Sequence, residues 1–148
     1  MIDLTAPASA LEAANQVVAA GIARLAEIGL DENQVLAYDV AHAAAAVQTG
    51  QSLLGYGIKG YVEASIANAF IADAIAELAG KVFGRESEWG VGFDAFDSTR
   101  EYVATYRNPE FLARHASTAG PRHPSDDCQR EPDAFRRLAA ENLKPVAE

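Results

Sequence analysis

The chain has 148 residues, 49% of them hydrophobic and 22% charged, which is enough for one globular domain with a core and excludes a disordered or fibrous class. No run approaches the roughly 18 uninterrupted apolar residues of a membrane span, and the amino terminus lacks the basic-then-apolar order of a signal peptide, so a cytoplasmic chain with no membrane partner is expected. Twenty-one acidic residues against twelve basic give a formal charge of −9, which disfavours nucleic acid and anionic lipid as partners.

Met1 to Ala6 shows no periodicity. Pro7 and Ser9 offer a helix entry, after which Leu11, Ala14, Val18, Ile22 and Leu25 recur at helical spacing. Gly29 is a natural stop, and the first helix is predicted from Ser9 to Ile28.

Asp31 follows as the expected N-cap of a second helix, with Gln34 three residues on in the pattern of a capping box and Glu32 near the positive end of the helix. Leu36, Val40, Ala44, Val47 and Leu54 form its apolar stripe, and Ala41, Ala43, Ala45 and Ala46 allow a neighbouring helix to approach closely. Gly55, Gly57 and Gly60 end it. A third helix is predicted from Tyr61 to Val82, carrying Ala64, Ala67, Ile71, Ile75, Leu78 and Val82 on one stripe widened by Ile66 and Phe70. Glu63, Asp73, Glu77 and Lys81 lie off that stripe, with Glu77 and Lys81 spaced for an ion pair along the helix. Asp31 to Gly84 is thus the centre around which the rest is arranged.

Between Glu86 and Asp97, Trp89, Phe93 and Phe96 stand among glycines and acids, which reads as a packed loop held by aromatic anchors. Ser98 with Glu101 repeats a capping-box pattern ahead of Tyr102, Val103 and Tyr106. Asn108 and Pro109 read as the N-cap and first residue of a further short helix containing Phe111 and Leu112. From Ser117 the composition turns polar and proline-rich without periodicity, predicting a linker over 117–131. Residues 132–148 resume a helical pattern through Phe135, Leu138, Ala139 and Leu143. Period-two alternation is absent, so the fold class expected is all-α: a small antiparallel helical bundle over 1–116, then the linker and a partial helix.

Several residues carry functional alternatives. Asp39 and His42, three apart, could face Asp73 and Glu77, four apart on the next helix, in the manner of a metal-binding bundle. That geometry normally takes a carboxylate-x-x-histidine pair from each of two helices, and only one is present, so solvated helix faces are the preferred reading. His42 as a catalytic base lacks an identifiable nucleophile or oxyanion donor and is read as a hydrogen-bonding group at a helix contact. Cys128, the single cysteine, has only His123 and Arg130 near it in sequence and is read as a passive linker thiol. Arg130, Arg136, Arg137 and Lys144 could meet an anionic ligand, but Glu141 stands at helical spacing and surface pairing is preferred. Trp89, Phe93 and Phe96 could line a pocket, although loop anchoring is the commoner role.

The stretch LDENQVLAYDVAHAAAAVQTG, with GYGIKGYVEASIANAFIADAIAELAGKVFGRESEWG, resembles the amino-terminal helical extension of some larger acyl-CoA dehydrogenase family flavoproteins, the methylsuccinyl-CoA dehydrogenase-like group. The closing segment GPRHPSDDCQREPDAFRRLAAENLKPVAE is similar to the connection and first helix of that family's catalytic core, which makes 132–148 the start of an incomplete α-domain. The resemblance spans about residues 30 to 148. It implies a parent enzyme that dehydrogenates an acyl-CoA thioester with a glutamate base and FAD as hydride acceptor. The segments that would bind FAD and thioester lie beyond this sequence, so no catalytic, cofactor-binding or metal residue is carried onto it. The chain is expected to be a truncated, inactive portion with a structural or assembly role, its partners being the rest of the core, another subunit or a second copy. The alternative is a stand-alone acidic helical interaction module.

Overall fold

The computed structural model describes residues 3–118, and every regular element among them is helical, as the periodicity predicts. Three long helices come first: α1 (Thr5–Ile28), α2 (Gln34–Gly57) and α3 (Tyr61–Val82). Four short elements follow, namely α4 (Glu86–Trp89), a 3-10 turn (Asp97–Thr99), α5 (Arg100–Tyr106) and α6 (Pro109–Thr118). No helix of the described residues is long and apolar enough to cross a membrane.

Helix α1 begins four residues before the predicted Ser9. The Asp3 carboxylate accepts the Thr5 N–H at 2.8 Å, which covers one free donor of the first turn. Pro7 is tolerated there because its missing N–H would have had no helical partner. The buried stripe is Leu11, Ala14, Val17, Val18, Gly21 and Leu25. Ile22, expected inside, is 53% exposed, and Gly21 takes the inward place.

The turn into α2 departs from the predicted capping box. Asn33, not Asp31, is the N-cap residue, and its side chain makes no bond to the start of α2. Its Nδ2 instead donates to the carbonyls of Ile28 at 3.2 Å and Gly29 at 2.9 Å, closing the free end of α1. Gly29 itself has φ +83, a left-handed value that a side chain disfavours. One residue thus serves the helix behind it, and Asp31 and Glu32 are left exposed in the turn.

Helices α1, α2 and α3 pack antiparallel, since Leu11 in early α1 meets Gly50 in late α2, and Gly57 at the end of α2 meets Ala64 at the start of α3. Small residues set the spacing. A Cβ on Gly21 would stand 2.8 Å from Val40 Cγ2 and 2.9 Å from Trp89 Cε3; one on Gly50 would stand 2.8 Å from Leu11 Cδ1. Such distances forbid ordinary packing, so both glycines are places where backbone replaces side chain. Within α2 the inward residues are Leu36, Val40, Ala43, Val47 and Gly50, while the predicted Ala44 and Leu54 are only half-buried. Within α3 the predicted stripe is buried throughout, although Ile66 at its edge is exposed.

The short elements close one side of this trio. Trp89 is 0% exposed and sits against Gly21. Tyr102 reaches back to α3, its hydroxyl 3.1 Å from Asn68 Oδ1 and 3.2 Å from the Asn68 carbonyl, and Asn68 Nδ2 donates to the Ala64 carbonyl at 2.8 Å. Burial pushes the Tyr102 phenol well above its ordinary range. No side-chain cap forms at Ser98; the 3-10 turn runs straight into α5. Asn108 does act as predicted, its Oδ1 accepting the Glu110 N–H at 2.8 Å ahead of α6. Helix α6 continues to Thr118 and so takes in the first two residues of the predicted linker. The remainder of that linker, with Cys128 and the helix expected from Pro132, lies outside the described residues.

Candidate functional site: an apolar groove beside the third helix

An apolar concavity runs along the end of α3 and holds about 580 Å³. Its floor is the α3 face formed by Ile75, Ala76, Ala79 and Gly80, and its far wall is Phe96, Thr99, Val103 and Ala104. Phe83 and Phe93 stand at its mouth, 84% and 89% exposed. The arrangement follows from chain chemistry. Helix α3 ends at Val82, and Gly84 with φ +77 turns the backbone so that Phe83 is carried outward while Trp89 is carried in.

Phe93 therefore corrects the reading of Trp89, Phe93 and Phe96 as three loop anchors. Trp89 anchors, Phe96 is half-buried against the core, and Phe93 lies on the surface. Its neighbours Gly92 and Asp94 place it in an exposed turn.

The polar groups of the groove are few. Thr99 is buried and satisfied, its hydroxyl donating to the Phe96 carbonyl at 2.8 Å. Arg100 pairs with Asp97 at 2.8 Å. Glu86 accepts the Gly84 N–H at 3.1 Å, Asp94 is exposed just outside the lining beside Phe93, and among the described residues neither is paired with a cation. These groups offer apolar contact area and an acidic rim; they do not bring a nucleophile to a base.

The candidate metal residues are distributed differently. Asp39 faces the end of α3 and accepts a 2.7 Å bond from Arg85 Nη1, with Lys81 Nζ at 3.5 Å. Arg85 also clasps Glu88 through Nε at 2.7 Å and Nη2 at 3.1 Å. Burial pushes the Asp39 carboxyl upward, but the bonds and charges of Arg85 and Lys81 outweigh it and hold the group below the usual carboxylate range. Glu88 is also held low, chiefly by its bonds to Arg85, and the Arg85 guanidinium is raised by the same contacts. Asp39 is thus half of an ionic clasp between α2 and the chain after α3.

His42 is exposed and packs against Tyr38, the ring centroids 4.3 Å apart and the planes tilted by 43°. It shares a shallow depression of about 110 Å³ with Glu77 and Lys81, and Glu77 is 3.6 Å from Lys81, the expected pair. Asp73 points elsewhere, accepting a 3.0 Å bond from Arg107 Nε. The structure therefore does not gather Asp39, His42, Asp73 and Glu77, and among the described residues no group of three or more His, Cys, Asp or Glu could hold a metal ion.

Sequence reasoning missed Arg85 as the centre of the clasp and Phe83 as an exposed aromatic. The spacing of Arg85 and Glu88 does signal a local pair. Nothing local announces Asp39 as the third member, forty-six residues away. Compared with family models, with curated proteins and with solved structures, the chain matches none.

Proposed function

We propose that this chain is the non-catalytic amino-terminal portion of an FAD-dependent acyl-CoA dehydrogenase of the cytoplasm, and that its work is attachment and assembly. The enzyme assignment is supported by the sequence likeness of residues 30–90 and 120–148 to that family. The attachment role is supported by one observation above others, the groove on α3 with two phenylalanines almost fully exposed at its mouth. An isolated exposed apolar residue is ordinary; two beside a concave apolar strip mark a contact surface. FAD belongs to the parent enzyme in this reading, and no residue of this chain is assigned to it.

Extending the reading frame beyond codon 148 tests the assignment. Continuation into a chain that purifies with bound flavin supports it; a frame that stops, or continues into something colourless, removes the enzyme part. In such a parent, Phe83→Asp with Phe93→Asp should loosen assembly in sedimentation while leaving helical content unchanged. Unchanged assembly would remove the attachment role.

A further inference from the structure

We infer that the occupant of the α3 groove is an amphipathic protein helix whose apolar face is flanked by Lys and Arg. The inference rests on the attachment reading above and adds the chemistry of the partner. Two features of the groove select a helix with that character.

The first is the floor. Ala76, Ala79 and Gly80 line the groove side of α3 with almost no side chain, and no atom of the described residues lies within 4 Å of the place a Gly80 Cβ would take. A small-residue strip of this kind lets a second helix backbone come close enough for its larger apolar residues to reach past it. Ile75 and Val103 lie deeper on either side, while Phe83 and Phe93 are placed to fold over an inserted rod. A peptide read this way presents apolar anchors at i, i+3, i+4 and i+7.

The second is the charge of the rim. The charged residues lining the groove are Arg100, which pairs with Asp97, and Glu86, which has no cationic partner among the described residues; Asp94, just outside the lining, adds an exposed carboxylate beside Phe93 at the mouth. The rim is therefore acidic, on a chain whose total formal charge is −9. Basic flanks complement it, and acidic flanks are repelled. The same balance opposes a second copy of this acidic chain as the occupant and opposes an anionic lipid surface.

The probes are two labelled synthetic helical peptides of one apolar pattern, Leu at i, i+3, i+4 and i+7, one flanked by Lys and the other by Glu, titrated against the full 148-residue chain. Fluorescence anisotropy at low salt should show the Lys peptide binding roughly three- to tenfold more tightly, with the preference shrinking as salt is added. Phe83→Asp with Phe93→Asp should abolish binding of both. Glu86→Gln with Asp94→Asn should keep binding and erase the preference. Equal affinity of the two peptides for the native chain would overturn the basic-flank assignment while leaving the attachment reading standing. Binding of neither would overturn both. Binding to phosphatidylserine vesicles in preference to peptide, or a dimer that Phe83→Asp dissolves, would assign the groove to lipid or to a second copy and overturn the inference.

Discussion

Helices α1 to α3 turn their apolar stripes on one another, whereas the segment from Phe83 to Ala104 divides its aromatic residues between inside and outside. Trp89 and Tyr102 go inward and bind the segment to α1 and α3; Phe83 and Phe93 go outward and touch little. The long helices are consequently explained by their own packing. The following segment is explained only in part by folding, and the unexplained part is where a partner would act.

The most severe way to break this division is to remove the inward anchor. Trp89→Ala deletes the largest fully buried side chain and should cost about 3–5 kcal/mol in urea unfolding, since the space cannot collapse fully between α1 and the segment. A loss under about 1 kcal/mol would mean the segment is not tied to the core through Trp89.

Next in size is a pair of identical substitutions with opposite expected signs. Gly21→Ala puts a Cβ within 2.9 Å of both Val40 and Trp89 and should cost about 1–3 kcal/mol despite the better helix propensity of alanine. Gly80→Ala, with no described residue crowding it on the groove floor, should gain roughly 0.5–1 kcal/mol by thermal or chemical unfolding. Equal effects at the two sites would show that propensity, not close approach, governs both.

These two glycines also mark how far the sequence could be read. The register of α3 and its limits, Tyr61 to Val82, are legible because a long apolar stripe at helical spacing admits one inward face. The inward turn of α1 was misjudged at Ile22 because a glycine carries no hydrophobic signal, yet Gly21 is the residue that lets Val40 and Trp89 in. Asp31 was misread as a cap because a capping pattern is local, and the competing bond, from Asn33 back to the end of α1, depends on the angle between two helices. The site was less legible still. Alanine at 76 and 79 reads as good helix in any setting; only the path of the later chain shows that, among the described residues, these positions line an open groove.

A smaller effect sharpens the comparison electrostatically. Asp39 and Glu88 are both held below the usual carboxylate range, so their contribution is fully present above the unfolded carboxylate values near pH 4 and is lost as pH falls through the lower folded values. Asp39→Asn should cost about 1 kcal/mol at neutral pH, because Asp39 is largely shielded while its partners still reach water. Stability of the native chain should fall more steeply below about pH 4 than that of the variant. Parallel curves for the two proteins would remove the clasp from the account of how the segment is held.

The least expected effect on folding falls at the most exposed aromatic residue. Phe93→Ser should change unfolding free energy by less than about 0.5 kcal/mol, since the ring is 89% exposed and has little native contact to lose. Natural surfaces carry single apolar residues without consequence, so neutrality alone would be unremarked. Its force comes from pairing with the peptide titration: a residue that stability does not need but that helix binding does need is held outward for a partner. A loss comparable to that of Trp89→Ala would instead place Phe93 among the anchors, and the division between inward and outward aromatics would no longer separate folding from attachment.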